Sequence, residues 1–311
     1  MCSSDLESVT LAISARAMAL KKAGHDVVSL GAGEPDQPTP EPIARAAIEA
    51  IQQGRYRYTA TSGIPELRQA ATKWFEAAFG LRYAANEIMV TAGAKPALHM
   101  ALDAIVEPGD RILILAPYWV SYPALVHMAG GVPVVVEAVP DQGFIHDAAT
   151  IERAVIANRA KGLILNSPNN PSGAVASRAQ VEALVRIAQA HDLWILSDEI
   201  YAMLRYDGAD YVSPASVPGG QERTMIVSGV TKSHTLTGWR IGFLAGCRPV
   251  IEAAGRIQSQ VLGNACTISQ EAARAACAEP PHAEIQRRLV EFDRRRQYLV
   301  REVNQIGRAH V

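Results

Sequence analysis

Lys232 and Arg240 are the residues of this sequence whose types and spacing most directly suggest chemistry. Lys232 comes soon after the apolar run 224–227. A lysine at the buried end of a strand loses solvation, so its pKa falls and its amine can condense with an aldehyde. The guanidinium of Arg240, which follows Lys232 closely, suits a phosphate. Taken singly, each has an ordinary alternative, an exposed loop lysine and a surface ion pair.

Asp198 stands at the exit of another apolar run, and Tyr201 follows it. A buried aspartate there can hold a protonated ring nitrogen, and a tyrosine hydroxyl can donate to a neighbouring oxygen. The alternative is an aspartate that caps a helix. Asn170 lies in the segment 166–173, whose Asn, Pro and Gly residues predict a rigid turn that can present an amide.

Two further strand ends could hold a flat, phosphorylated ligand. Gly93, Ala94 and Lys95 form a junction between a strand and a helix, where free backbone amides and the helix dipole attract phosphate. Trp119 follows the next strand, and its indole can stack on a flat ring. A single tryptophan is more often part of the core, and this glycine motif alone is weak.

These residues depend on elements that alternate along the chain from about residue 87. Short apolar runs, typical of buried strands, occupy 88–91, 111–115, 132–136, 162–165, 193–196 and 224–227. Runs with helical spacing occupy 96–106, 123–129, 148–156, 178–191, 249–262, 269–278 and 282–305. The alternation predicts an α/β fold with a mostly parallel sheet. The run 241–246 follows its predecessor too closely for a long crossover, so we expect it to be antiparallel.

The strand ends share one property that decides between the alternatives. Five candidate residues each lie at or just past the C-terminal end of a different predicted strand: Gly93, Trp119, Asn170, Asp198 and Lys232. In open α/β sheets that edge is where ligands bind. A phosphate holder, a stacking ring, an amide, a carboxylate with a phenol, and a lysine are together what a phosphorylated pyridine aldehyde requires.

The motifs around these residues resemble those of a known family over residues 8–305. They are 31–36 (GAGEPD), Tyr58 before 63–68 (GIPELR), 117–123 (PYWVSYP), 166–173 (NSPNNPSG), 197–201 (SDEIY), and Lys232 with 237–242 (TGWRIG). The sequence resembles the class I, fold-type I aminotransferases, which use pyridoxal 5'-phosphate (PLP). Within them it is similar to the bacterial aspartate aminotransferase subgroup, which includes enzymes that also accept prephenate.

The resemblance implies a role for each site residue. Lys232 would bind the cofactor aldehyde covalently and act as the general base. The cofactor would be held by Asp198 at the ring nitrogen, by Tyr201 and Asn170 at the phenolic oxygen, by Trp119 on the ring, and by Gly93, Ala94, Lys95 and Arg240 at the phosphate. Tyr58 would reach the site of a partner in a homodimer. Gly33, Trp119 and Asn170 would contact the substrate, an amino acid (aspartate) or a 2-oxo acid (2-oxoglutarate).

The resemblance also implies the fold and the domain organisation. The fold would be the fold-type I PLP-dependent transferase fold, a mostly parallel sheet with helices on both faces, plus an incomplete small α/β domain. Residues 40–280 would form the large PLP-binding domain, 7–39 the N-terminal segment of the small domain, and 281–305 its C-terminal start. Residues 1–6 and 306–311 can be written with complementary codons, so we interpret them as sequencing-adapter read-through.

Two departures from the family limit what the sequence predicts about substrate. Ala94 and Pro96 stand where serine or glycine is frequent in the family. The arginine that holds the substrate carboxylate in these enzymes normally lies downstream of Val311, so we expect a C-terminally truncated chain that is itself inactive.

Composition excludes several other classes of function. The 311 residues carry a formal net charge of −1, which does not favour a partner such as nucleic acid or an anionic membrane. We therefore interpret the arginines of the last helix (Arg287, Arg288, Arg294, Arg295, Arg296 and Arg301) as a solvated, ion-paired face. No apolar run is long enough to span a bilayer. The four cysteines show no metal-ligand spacing, and we interpret them as thiols of a cytoplasmic protein.

Two alternatives on the same scaffold stay open at this point. One is another PLP enzyme, such as a C–S β-lyase or an aminocyclopropane carboxylate synthase, against which the motif at 117–123 and the subgroup resemblance argue. The other is a PLP-binding regulator domain without enzymatic activity. A regulator would need a helix-turn-helix region upstream, and the first forty residues show none.

Overall fold

The computed structural model describes residues 9–31, 33–138, 143–278 and 282–306. Its helices are α1 (Val9–Lys22), α2 (Glu41–Gln52), α3 (Pro65–Phe79), α4 (Ala94–Ile105), α5 (Tyr122–Met128), α6 (Ala148–Asn158), α7 (Arg178–Ala190), α8 (Arg248–Val261), α9 (Thr267–Ala278) and α10 (His282–Ile306). Its strands are β1 (Ile88–Thr91), β2 (Arg111–Leu115), β3 (Val132–Val136), β4 (Gly162–Asn166), β5 (Trp194–Asp198), β6 (Thr224–Ser228) and β7 (Gly242–Ala245). Of the residues 1–6 and 306–311, which we attributed to adapter sequence, Ile306 is the last residue of α10 and the others lie outside the described residues.

The strands form one seven-stranded sheet in the order β1-β7-β6-β5-β4-β2-β3. The pairs β2–β3, β2–β4, β4–β5 and β5–β6 are parallel. Strand β7 is antiparallel to both β1 and β6, which confirms the prediction for this run. Because β7 reverses direction between them, β1 and β6 run the same way. The sheet is therefore mostly parallel, as predicted.

Helices cover both faces of the sheet, since its strands are apolar on both sides. Met89, Leu196 and Leu244 pack with α4, α5 and α8 on one face. On the other face, Ile195 packs with α6 and α7, while Phe243 packs with α2, α3 and α9. Strands buried on two sides read as continuous apolar runs rather than as alternating ones. This explains why the sequence predicted them well.

The arginine-rich helix α10 is mostly ion-paired, as predicted, with one exception. Arg294, Arg295 and Arg296 pair with carboxylates one turn away or on neighbouring segments. Arg288 is a correction, because its side chain is only 3% exposed. It is buried because carbonyl and hydroxyl oxygens of two other segments surround its guanidinium and accept its hydrogen bonds.

No helix among the described residues is long and apolar enough to cross a membrane.

Candidate functional site

The residues predicted to form the site lie at the edge of the sheet where the parallel strands end. Gly93 follows β1, Trp119 follows β2, Asn170 follows β4, and Lys232 follows β6, while Asp198 is the last residue of β5. The reversal of β7 matters here, because it lets β1 end at the same edge as β6. That shared edge is the usual ligand site of an open α/β sheet.

Lys232 lies in the connection 229–241 between β6 and β7, which leaves this edge and returns to it. The hydroxyl of Thr231 donates to the carbonyl of Ile241 at 2.6 Å and so joins the two limbs of the connection. The amide of Leu236 donates to the carbonyl of Thr231 at 2.8 Å and closes a tight turn around Lys232. The lysine is therefore held by a folded segment rather than by an open loop.

The ammonium group of Lys232 is half-buried and faces the N-terminal segment. It donates to the carbonyl oxygen of Gly33 at 3.0 Å, and its Nζ lies 5.7 Å from the centre of the Tyr201 ring. Burial lowers the pKa of Lys232 below its usual value, and the charge of Arg240 lowers it further, against the opposite effect of Glu34 and Asp198. A lowered pKa increases the fraction of neutral amine, which is the nucleophilic form.

Asp198 is a carboxylate that is almost completely removed from solvent. The hydroxyl of Tyr122 donates to its Oδ2 at 2.8 Å, and the amide of Ile200 donates to its Oδ1 at 3.3 Å. Burial raises the pKa of Asp198 to about 6, although both hydrogen bonds and the charge of Lys232 lower it. A cation that binds next to such a buried carboxylate stabilises its ionised form.

Tyr201 and Asn170 are brought together next to Asp198. Burial raises the pKa of Tyr201 to about 12, the charge of Asp198 raises it as well, and a hydrogen bond with the Asn170 side chain acts against them. Asn166 fixes the turn that carries Asn170, because its Oδ1 accepts from the Asn170 amide at 2.7 Å and its Nδ2 donates to the Asp198 carbonyl at 2.9 Å.

A corner with positive charge forms where α4 begins. Gly93 has a φ of 104°, and a Cβ at this position would lie 2.6 Å from the Arg240 Nη2, so the guanidinium packs directly on the glycine. No side chain caps α4, whose first amides have no partner within the helix. Lys95 is nearby, since the charge of Arg240 adds to burial in lowering the pKa of Lys95. Its Nζ lies 4.9 Å from the centre of the Trp119 ring. Such a corner can hold an anion.

Comparison with known proteins gives the same picture. The family model described as "Aminotransferase class I and II" matches residues 25–311. The aspartate/prephenate aminotransferase of Thermus thermophilus is 42% identical over 302 residues, which are 96% of this chain and 77% of that protein. The aspartate aminotransferase of Geobacillus stearothermophilus is 44% identical over 88% of this chain and 70% of that protein.

Solved structures agree with the sequence comparison. The structure of Thermus thermophilus aspartate aminotransferase with maleate superposes with a TM-score of 0.93, at 41% identity, over 97% of this chain and 78% of that one. This chain belongs to the class I and II aminotransferases. It is accordingly a PLP-dependent transferase, and its fold is fold type I. The predictions of family, fold, enzyme class and cofactor are confirmed.

Tyr58, in contrast to Asp198, is a predicted site residue of this aminotransferase whose side chain is 98% exposed. It lies in the segment 55–64, which we call the arm. Side chains of α8 and α9 hold the arm on both sides of Tyr58. Thr267 donates to the Arg57 carbonyl at 2.7 Å, and Gln270 both donates to the Thr59 hydroxyl at 3.1 Å and accepts from the Ile64 amide at 2.7 Å.

Sequence reasoning missed several residues that shape the site of this aminotransferase. Tyr122, which donates to Asp198, was quoted only as part of the motif 117–123. Tyr122 is the first residue of α5, and its ring lies 5.5 Å from that of Trp119. The spacing of three residues between these two aromatic side chains could have indicated that Tyr122 also faces the site. Asn166 was read as turn composition, although its side chain ties the turn to β5.

Proposed function

We propose that this aminotransferase moves the amino group of aspartate to a 2-oxo acid, with Lys232 as the residue that binds PLP. The observation that carries the assignment is the position of the half-buried Lys232 ammonium, which lies close enough to both Asp198 and Arg240 for their charges to shift its pKa. Those two residues would hold opposite ends of the cofactor, Asp198 at the ring nitrogen and Arg240 at the phosphate. Lys232 therefore lies where it could reach an aldehyde between these two ends.

The side chains fit PLP at each of its polar groups. The buried carboxylate of Asp198 suits a protonated ring nitrogen, and Tyr201 with Asn170 suits the phenolic oxygen. Glycine at position 93 lets the Arg240 guanidinium pack at the start of α4, where the Ala94 and Lys95 amides together with Arg240 suit the phosphate. Trp119 would cover the ring, as its indole stands beside this corner under Lys95.

The chemistry is divided between the cofactor and the chain. When bound, PLP supplies an electron sink that acidifies the α-carbon of an attached amino acid. The chain would supply the proton transfer, because the neutral Lys232 amine could take the α-proton of the substrate and later give it back. The carbonyl of Gly33, 3.0 Å from Nζ, orients this amine, and burial lowers its pKa, which increases the fraction in the neutral, basic form.

Aspartate as the substrate is supported by the relatives. Relatives named aspartate aminotransferase are 40–44% identical, and one was solved with maleate, a dicarboxylate. Gly33, whose carbonyl accepts from Lys232, would contact the substrate together with Trp119 and Asn170, which follow β2 and β4 at the same edge of the sheet.

We further propose a homodimer in which Tyr58 completes the site of a second copy. The support is the arm, which is hydrogen-bonded to α8 and α9 and yet leaves the Tyr58 ring 98% exposed.

In the same proposal, residues 40–280 form the large domain, because the whole sheet and the helices packed on it lie there. Residues 7–39 and 281–305 belong to a small domain. The free thiols of Cys247, Cys266 and Cys277 suit the reducing cytoplasm as its location.

The test is the visible spectrum of the protein with PLP, before and after borohydride. The wild type should give an absorption band that borohydride removes. The reduction should leave PLP bound covalently to a peptide that contains Lys232. Lys232→Ala should give no covalent adduct. Lys161→Ala, which alters an exposed lysine at the opposite end of β4, should behave as the wild type does. A covalent adduct in Lys232→Ala would refute the assignment. In a version extended to include the downstream arginine that holds the substrate carboxylate, an adduct without aspartate turnover would refute the substrate alone.

A further inference from the structure

The Lys232 connection is hydrogen-bonded to the N-terminal segment 33–39 at both ends of that segment. Lys232 donates to the Gly33 carbonyl at 3.0 Å, and the Thr237 hydroxyl donates to Glu34. Further on, the Thr39 hydroxyl donates to the Thr235 carbonyl at 3.1 Å. Two segments that are far apart in sequence thus form one strip, and the lysine stands at one end of it.

Arg288 lies under the other end of this strip and comes from a third element, α10. Its Nη1 donates to the Thr235 hydroxyl at 2.8 Å, its Nη2 donates to the Pro38 carbonyl at 2.7 Å, and its Nε donates to Glu284 at 2.8 Å. The residue is 3% exposed. A charge so deeply buried is costly unless its hydrogen bonds are made, and here each nitrogen of the guanidinium has an acceptor.

Thr235 is the residue on which these contacts meet, and its backbone is strained. Its φ is 55°, in the left-handed region that a β-branched residue rarely adopts. Such a conformation persists when surrounding contacts fix it. Arg288 binds the Thr235 hydroxyl, and Thr39 binds the Thr235 carbonyl, so the turn three residues after Lys232 is held from two sides.

We infer that Arg288 is a positioning residue for Lys232. It holds Thr235 in the left-handed turn and binds Pro38 at the same time, and so it fixes the lysine connection against the segment that contains Gly33. Because Arg288 belongs to α10, any displacement of this helix is passed to the turn that carries the lysine. The inference rests on the proposed role of Lys232 only for its functional meaning, since the contacts themselves do not involve the cofactor.

The chain offers a matched control, because Arg287 binds the same Glu284 carboxylate as Arg288 but is exposed. Arg287→Met removes an ion pair to Glu284 and leaves the strip intact. Arg288→Met removes the contacts to Thr235 and Pro38. Arg288→Lys retains the charge and can replace one of these contacts. Thr235→Val keeps the β-branched shape and removes the hydroxyl that Arg288 binds.

The first measurement is amide hydrogen exchange of the cofactor-free protein, read at His234 and Leu236, whose amides bond within the connection. Arg288→Met should speed exchange there by about tenfold and leave Ile226 of β6 unchanged, because the opening is local. Arg288→Lys should lie between Arg288→Met and the wild type, and Arg287→Met should match the wild type. If Arg288→Met does not fold, Thr235→Val is judged by the same criteria. Unchanged exchange in the connection, or an equal rise throughout the sheet, would overturn the inference.

The second measurement is the rate at which hydroxylamine removes PLP from Lys232 in the loaded protein. We expect Arg288→Met to raise this rate by about tenfold, because a mobile connection exposes the bound group, while Arg287→Met leaves it unchanged. Equal rates in the two variants would also overturn the inference. If Lys232→Ala still binds PLP covalently, the proposed function fails, whereas the exchange result on the cofactor-free protein still decides the role of Arg288.

Discussion

Asp198→Asn should stabilise the cofactor-free aminotransferase, and by more at high pH than at low pH. Burial raises the pKa of this carboxyl to about 6, from an ordinary value of 3.8. A carboxyl with a raised pKa in the folded state opposes folding as it ionises, so the cost grows as pH rises from 3.8 to 6 and is constant above that. A difference of about 2.2 pH units corresponds to about 3 kcal/mol of lost stability at neutral pH.

The pH dependence isolates the ionisation of Asp198 from other effects of the substitution. Between about pH 5 and pH 8 the cost of ionising the Asp198 carboxyl rises by about 1 kcal/mol, because its titration in the folded state is complete only at the higher pH. Any packing cost of the new amide is the same at both pH values and cancels. Glu199, whose pKa burial raises to about 7, is present in both proteins, and the Asp198 charge is the smallest of the causes that shift its pKa. The gain in free energy of unfolding should therefore be about 1 kcal/mol larger at pH 8.

Urea unfolding of the cofactor-free protein at the two pH values measures this difference. Asp192→Asn is the control, because the Asp192 side chain is fully exposed. A gain for Asp198→Asn that is the same at pH 5 and pH 8 would show that Asp198 is ionised at both and that burial has not raised its pKa. In the PLP-loaded protein, extended to include the downstream arginine that holds the substrate carboxylate, Asp198 should instead favour activity. Asp198→Ala should reduce turnover by several orders of magnitude, and a loss of about tenfold or less, about 1.4 kcal/mol, would make Asp198 a structural cap.

Three further outcomes follow from contacts at the site. Gly93→Ala should weaken PLP binding by at least about tenfold in a spectroscopic titration, because its Cβ would lie 2.6 Å from a guanidinium nitrogen; Gly54→Ala, also at positive φ but with open space around it, should not. Gln270→Leu should raise the dimer dissociation constant in sedimentation and weaken PLP binding in parallel, because the arm that carries Tyr58 loses two contacts; weaker PLP binding without a change in dimerisation would count against the shared site. Tyr122→Phe should raise the pKa of the buried carboxylate it contacts by about one pH unit, which unfolding between pH 5 and pH 8 would reveal.

The sequence predicted the sheet and the edge of the site because both depend on patterns that extend over several residues. Strands buried on two faces leave continuous apolar runs, and the turn residues after them mark the edge where ligands bind. The short connection before the last strand was enough to predict that β7 is antiparallel. Strand boundaries agreed closely, as in β2 (Arg111–Leu115) and β3 (Val132–Val136).

The sequence did not predict contacts between segments that are distant along the chain. Arg288 looks like its exposed neighbours in α10, and only the positions of Pro38 and Thr235 show that it is buried. The bond from Tyr122 to Asp198 likewise joins residues separated by 76 positions. A left-handed conformation at Thr235 is unexpected for a β-branched residue, because it is imposed by these distant partners rather than by local preference.

The connection between β6 and β7 has a consequence for how this enzyme can change. It begins and ends at the same edge of the sheet, with Lys232 on the outgoing limb and Arg240 on the returning one. Gly242, where the connection ends, lets the chain lie directly against the start of α4, since a Cβ there would lie 2.6 Å from the Gly93 backbone. The separation of Lys232, the residue proposed to bind PLP, from Arg240 at the proposed phosphate site is therefore set by one continuous peptide. Substitutions leave this length unchanged, whereas a single inserted or deleted residue would move Arg240 relative to Lys232 and so change the size of ligand that the edge accepts.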